Sequence, residues 1–267
     1  MKIGFIGVGN MAGAVINGLL RNNDFQSQLL LYDVLTEKTE RFSHEATVVV
    51  CSSAQQVAEG AEVLILAVKP NILPGVMGEL KEQLVSRSLL VVSLAVGKTL
   101  SFLEESLSPE LPLARVMPNI NAQVGFSTTG VACNSNVTQK QKQVLAVVFE
   151  GIGTLTEVPE TQFHVFAAIA ASAPAFAYLY INSVALAAQK AGMPKAEALR
   201  IASETVMGSA MMVLGAGRHP EELIDLVCSP GGTTIEGIAA LKSAGFESAV
   251  IGAVDAVLAK DARLQGK

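Results

Sequence analysis

A chain of 267 residues, 50% hydrophobic and only 16% charged, has ample apolar material for two buried cores. Its formal net charge of −5, with no basic run, excludes the electrostatic footprint of a nucleic-acid binder. Three widely separated cysteines, Cys51, Cys133 and Cys228, exclude a disulfide framework and suit a reducing compartment.

The first predicted element is a short apolar strand, Ile3–Ile6. Gly7, Gly9 and Ala12 follow it at the spacing of a dinucleotide fingerprint, with Ala in the third place. Gly7 serves the tight turn, Gly9 lets backbone approach a pyrophosphate, and Ala12 lets the next helix pack on the strand. That helix, Met11–Leu20, turns its N-terminus to the phosphates. A second strand, Leu29–Tyr32, ends at Asp33, where the adenosine ribose is expected. A carboxylate there accepts from a 2′-hydroxyl and repels a 2′-phosphate. Val34, Leu35, Thr36 and Glu37 follow with no Arg among them, which argues for NADH over NADPH.

Further strands are predicted at Thr47–Val50, Val63–Ala67, Leu89–Leu94 and Leu113–Met117, with helices at Thr36–Ser43, Ser53–Gly60, Ile72–Leu84 and Leu100–Ser106. Several of these strands are apolar throughout, as strands covered on both faces are. The alternation implies right-handed βαβ units and a doubly wound, Rossmann-type sheet. Strands near Ser127–Cys133 and Thr154–Glu157, around a helix at Thr138–Glu150, extend it at one edge. Three strand ends carry a polar group beside a turn-forming residue: Ala67-Val68-Lys69-Pro70, Ser93 to Gly97, and Met117-Pro118-Asn119. Ligands of open α/β sheets sit beyond such ends, so these residues are candidates for the ribose and nicotinamide side.

The texture changes after Pro159. Thr161–Gln189 contains no Asp, Glu, Lys or Arg. Ser172, Pro174, Asn182 and Ser183 within it argue against a membrane span, and no membrane partner is expected. A second helix is predicted from Lys195 to about Leu214, and no strand pattern remains. The chain therefore divides into a dinucleotide-binding domain, 1–158, and an all-α domain, 159–267. A helix apolar on every face needs more cover than about 100 residues supply, which points to a homodimer built through the helical domain. His44, His164 and His219 are isolated, so no metal site is expected. No signal-peptide pattern opens the chain, and a cytoplasmic location is expected.

Near the end, Ser229-Pro230-Gly231-Gly232-Thr233-Thr234-Ile235 stands out in the helical half. Glycines, hydroxyls and free N–H groups at a helix start form an anion site. Cys228 beside it reads as a buried structural thiol.

In the order Gly-Val-Gly-Asn-Met-Ala, Ala67–Pro70, Met117-Pro118-Asn119, Ser172-Ala173-Pro174-Ala175-Phe176 and Ser229–Ile235, the whole chain resembles the pyrroline-5-carboxylate reductases. The resemblance implies a Rossmann domain and a helical dimerisation domain, in dimers that often assemble into larger rings. It implies reduction of 1-pyrroline-5-carboxylate to L-proline with NADH or NADPH. Gly7, Val8, Gly9, Asn10, Met11 and Ala67 to Pro70 then correspond to cofactor contacts. Ser229, Gly232, Thr233 and Thr234 correspond to substrate contacts, and Thr234 to the hydroxyl that hydrogen-bonds the ring nitrogen. The chain departs from the family pattern at Ala171 and Ala173, where glycines are usual, at Asn121, where Pro is common, and at Asp33-Val34, where Asn-Arg or Ser-Arg is frequent.

No His, Asp or Glu presents itself as a general acid. The substrate arrives as the iminium or takes its proton from water held by Thr234, while backbone N–H groups of Gly232 to Thr234 hold its carboxylate. Other readings are a reductase of another small cyclic imine and a non-catalytic NAD(P)H binder. A β-hydroxyacid dehydrogenase is disfavoured, because Thr161–Gln189 lacks the catalytic Lys that those enzymes use.

Overall fold

The computed structural model describes residues 1–22, 25–87 and 89–264. By internal contacts it divides into two compact units, Met1–Ala171 and Ser172–Lys267.

The first unit is an eight-stranded sheet flanked by helices, in the order β3-β2-β1-β4-β5-β6-β7-β8. Its strands are β1 Lys2–Ile6, β2 Gln28–Tyr32, β3 Val48–Val50, β4 Val63–Leu66, β5 Leu90–Ser93, β6 Leu113–Met117, β7 Ser127–Cys133 and β8 Gly153–Glu157. Its helices are α1 Asn10–Arg21, α2 Glu37–Glu40, α3 Ala54–Gly60, α4 Leu73–Arg87, α5 Leu100–Ser106, α6 Gln139–Glu150 and α7 Phe163–Phe166. Every pairing is parallel except β6 with β7. The order reverses between β1 and β4, the switch point beyond whose carboxyl ends ligands of such sheets bind. The fold is thus the expected α/β class, a Rossmann-type sheet followed by an all-α region.

Alternation along the strands sorts side chains to two faces. Ile3 and Phe5 of β1 pack with Val15 and Leu19 of α1 and Phe149 of α6. Ile6 joins the opposite core, with Val57 of α3, Met77 and Leu80 of α4 and Leu103 of α5. Several helix starts carry side-chain caps. Ser53 and Thr99 accept from Gln56 and Phe102 N–H, and Thr138 with Gln141 forms a capping box. α1 meets α6 unusually closely: a Cβ added at Gly18 would lie 2.9 Å from the carbonyl of Gly151.

Helix 36–43 is shorter than expected: only Glu37–Glu40 is α-helical, and turns continue to Ser43. The predicted single apolar helix from Thr161 is also broken. A 3-10 turn, Glu160–Gln162, leads into α7, and a π-helical stretch, Ala167–Ser172, follows. Phe163 and Phe166 anchor this segment in the sheet's core, so it belongs to the first unit. The break in compactness therefore falls after Ala171, later than the boundary read from composition at 158.

The second unit contains α8 Ala173–Lys190, α9 Lys195–Ala216, α10 Pro220–Val227, α11 Thr233–Ser243 and α12 Phe246–Leu264. Pro174 sits in the first turn of α8, where its missing N–H costs nothing. α8 packs on α9, and Tyr180 of α8 meets Phe246 at 6.2 Å between ring centroids. The helical run Glu160–Lys190 is long and apolar enough to cross a membrane by length and composition, with a mean hydropathy of 1.5. The bent pair Thr233–Ser243 and Phe246–Arg263 passes the same test if counted as one.

Candidate functional site

β1 ends at Gly7, whose N–H donates to Tyr32 O at 2.8 Å. Its φ of +89° and the nearness of Ala67 leave no room for a side chain, since a Cβ would lie 2.9 Å from the Ala67 carbonyl. The loop is thereby pressed onto the end of β4. Gly9 then caps α1 with extended backbone and no side-chain cap, and Gly13 N–H donates to Gly9 O at 2.8 Å. A Cβ at Gly9 would meet nothing within 4 Å. Open space thus faces a helix start with uncapped N–H groups, which fits a pyrophosphate.

Asp33 is buried, and its carboxylate is engaged with the protein. Oδ2 accepts Val8 N–H at 2.7 Å, Oδ1 accepts Leu35 N–H at 3.0 Å, and Lys38 Nζ lies 3.5 Å from Oδ1. Asp33, at the strand end where the ribose is expected, thus also braces the glycine loop. The sequence reading stopped at Glu37 and so missed two cations. Lys38 contacts Asp33, and Arg41 Nη2 donates to Val8 O at 3.3 Å while stacking over Phe42 at 4.7 Å. Their signal was basic residues spaced i, i+3 within the predicted helix Thr36–Ser43, Arg41 lying just past the end of α2.

Beyond β4, Ala67 and Val68 are half-buried and Lys69 is exposed; Lys69 O accepts Ile72 N–H and Leu73 N–H at the start of α4. Two further candidates face inward instead of lining a surface. Ser93 is fully buried, with Oγ accepting Ala95 N–H at 3.3 Å. Asn119 accepts Asn121 N–H at Oδ1 and donates through Nδ2 to Ala170 O, each at 3.0 Å. Its own N–H donates to Ser127 Oγ at 3.0 Å. These side chains shape the strand ends and hold the π-helical stretch, and neither is free to reach a cofactor in this conformation. Arg115 of β6, also unforeseen, pairs with Glu160 at 3.4 Å and stacks on Phe163 at 4.3 Å. This pair belongs to the core.

In the helical unit the serine–glycine–threonine loop joins α10 to α11. Gly231 has a φ of +67°, and Gly232 N–H donates to Ser229 O at 3.0 Å. A side chain at Gly232 would displace Ser229 Oγ and lie 3.1 Å from Ser229 O, so glycine eases this compact turn. Gly232 caps α11 without a side-chain bond; Thr233 and Thr234 open the helix, and Ser229, Thr233 and Thr234 are exposed. One expectation is corrected here. The Gly232 N–H is committed to Ser229, which leaves Thr233 and Thr234 as the donors at this helix start. Cys228 is half-buried in the chain by itself, short of the buried thiol expected. His219 caps α10, accepting Glu221 N–H at 3.3 Å, and among the described residues no His, Cys, Asp and Glu group could hold a metal ion.

The glycine loop with its Asp brace and the threonine-opened helix occur in one chain, and comparison with known proteins matches that chain from end to end. Residues 160–264 match the family described as pyrroline-5-carboxylate reductase dimerisation. A pyrroline-5-carboxylate reductase of Escherichia coli is 38% identical over 98% of each chain. The chain belongs to the pyrroline-5-carboxylate reductase family. Pyrroline-5-carboxylate reductase 3 of Macaca fascicularis is 34% identical over 100% of this chain and 97% of its own. The crystal structure of the Coxiella burnetii reductase superposes with a TM-score of 0.93 at 32% identity, covering 98% of this chain and 97% of that one. A Plasmodium falciparum pyrroline carboxylate reductase with NADP bound gives 0.86 at 29% identity, over 100% and 98%. Residues 2–97 match the family described as NADP oxidoreductase, coenzyme F420-dependent. A pyrroline-5-carboxylate reductase of this kind is an NAD(P)H-dependent oxidoreductase with a dimerisation domain.

Proposed function

We propose that this protein reduces 1-pyrroline-5-carboxylate to L-proline in proline biosynthesis. The observation that carries this reading is the end-to-end match, 38% identity over 98% of each chain, which includes both loops. Bound NAD(P)H supplies the hydride. Gly9, Asn10 and Met11 hold the pyrophosphate at the start of α1, Gly7 and Val8 shape the loop through their bonds to Tyr32 and Asp33, and Ala67 to Pro70 line the neighbouring strand end. Ser93 and Asn119 act from behind, fixing the turns after β5 and β6.

Thr233 and Thr234 N–H groups receive the substrate carboxylate at the uncapped start of α11, with Ser229 and Gly232 forming the turn beneath it. Thr234 Oγ1 hydrogen-bonds the ring nitrogen, or the water that protonates it. A cyclic imine accepts hydride at carbon once its nitrogen carries a proton, so the site has to orient it and needs no strong acid. The helical domain pairs with a second copy across the apolar faces of α8 and α9, and rings of such dimers are the larger assembly. The enzyme works in the cytoplasm.

The test is oxidation of NADH and of NADPH by the purified protein with 1-pyrroline-5-carboxylate, with its six-membered homologue, and with neither. Turnover dependent on the five-membered imine is expected. Preference for the six-membered ring would move the assignment to another cyclic imine, and cofactor binding without turnover would leave only a nucleotide-binding protein.

A further inference from the structure

β7 and β8 run parallel, with Val131 beside Glu157 and Thr129 beside Leu155, and α6 connects them. Side chains alternate along a strand, so Val131 and Cys133 of β7 share one face with Leu155 and Glu157 of β8, the face that α6 covers. Farther along, α6 packs down through Leu145, Val148 and Phe149, which have almost no exposure, whereas its first turn buries no side chain. A cavity of about 160 Å³ remains beside that turn, lined by Val131, Cys133, Lys142, Leu145, Leu155 and Glu157. It is remote from the glycine loop. β7 runs antiparallel to β6 with Cys133 level with Ala114, near the start of β6, while the glycine loop follows the carboxyl end of the parallel strand β1.

The cavity walls are mostly apolar, and Cys133 adds a thiol that burial keeps neutral. At the rim Lys142 Nζ and Glu157 Oε1 meet at 2.5 Å, with side-chain exposures of 32% and 61%. An ion pair so open to water contributes little to stability, and its partners exchange readily. One cation and one anion side by side over an apolar hollow are complementary to a molecule that carries an anion, a cation and an apolar group on one carbon. We propose that this cavity binds a small apolar α-amino acid, its carboxylate on Lys142, its ammonium on Glu157 and its side chain between Leu145 and Leu155. Binding replaces one exposed ion pair by two and removes apolar surface from water in the same step. A cavity of this volume takes a group as large as benzene, and the isobutyl group of leucine is smaller. A simple carboxylate or a simple amine leaves one of the two rim charges without a partner.

The test reads Cys133, because an occupant covers it. The full-length protein is treated at pH 8 with methyl methanethiosulfonate, and the modification of each cysteine is followed by mass spectrometry of its peptide. L-leucine is present or absent at about 50 mM, well above a millimolar dissociation constant. Leucine is expected to slow modification of Cys133 about fivefold or more and to leave Cys51 within about twofold. Saturating NADH should not alter that protection. Isocaproate and isoamylamine, which carry the same apolar group with a single charge, should each protect less than about half as well. In Lys142→Met and in Glu157→Gln, each with its circular dichroism intact, leucine should protect less than about twofold. Absence of protection in wild type, its loss when NADH is added, equal protection by either single-charge analogue, or full protection in either variant overturns the proposal. The labelling needs no turnover, so loss of this site and loss of the reductase reading are told apart.

Discussion

The two compact units treat their apolar side chains in opposite ways. In Met1–Ala171 the large ones are sealed: Phe5, Phe149, Phe163 and Ile16 have essentially no exposure, in cores on both faces of the sheet. Among the described residues of Ser172–Lys267 the buried ones are Ala185, Ala198 and Ala202, while Leu214, Leu179 and Met211 stand 87%, 67% and 65% exposed. The first unit therefore carries its own folding free energy. The second has the same kind of residues with nothing over them, and burying one such side chain stabilises by roughly 1.5–3 kcal/mol. A dimerisation domain is the reading under which both patterns follow one rule, because the missing cover belongs to another copy.

The largest expected effect breaks that comparison directly. Placing charge on the bare faces of α8 and α9, with Leu179→Glu and Leu214→Glu together, should give a monomer in analytical ultracentrifugation and abolish reductase activity. A dimer of full activity would show that these faces serve something else. The sealed half should respond differently. Phe149→Ala is expected to cost about 3–5 kcal/mol by leaving a cavity in the core between α1, α6 and the sheet. In chemical denaturation that loss should not depend on protein concentration, whereas the wild-type midpoint of the helical half should rise with it.

Thr234→Ala tests the bare half at one hydroxyl. It should lower kcat/KM by about tenfold to a thousandfold, the span of one to a few hydrogen bonds at a charged group, with dimer and cofactor affinity kept. An unchanged kcat/KM removes Thr234 from the chemistry. The smallest effect concerns the cysteines of the sealed half. Burial pushes the Cys133 thiol up to about 11, with Lys142 pulling it down and Glu157 raising it slightly, and burial also raises Cys51. A thiol held neutral contributes stability below its unfolded value of 9.0, and that contribution fades as pH climbs from 9.0 to about 11. Iodoacetamide at pH 8 should therefore label Cys133 far more slowly in the native protein than in guanidinium. Equal rates would contradict the raised value.

Much of this fold was legible in the residues. Leu113–Met117 and Ser127–Cys133 are strands at the expected bounds, because an apolar run between turn residues has few other uses. What stayed hidden was relational. Nothing in Ser127–Cys133 says that it runs antiparallel to β6, and the small apolar residues of Ala167–Ser172 fit an α-helix as well as the π-helix they form. Of the site, Gly7 and Gly9 were readable because their lack of a side chain is the function. The partners of Asp33 were not, since whether a carboxylate turns to a ribose or to Val8 N–H depends on the path of the loop. Ser93 and Asn119 were placed correctly along the chain, but which way a polar side chain turns at a strand end is decided by its neighbours.

The close approach of Gly18 and Gly151 gives α1 a fulcrum. Gly18 lies nine residues beyond Gly9, about 13 Å along the helix axis at the usual rise. A helix of twelve residues is stiff, so its two ends cannot move independently. Anything that widens the backbone crossing at one end must tilt the uncapped N–H groups at the other. The phosphate site proposed at the start of α1 is thus hinged on a contact near the helix's other end, where a single added methyl would change the aim of the whole rod.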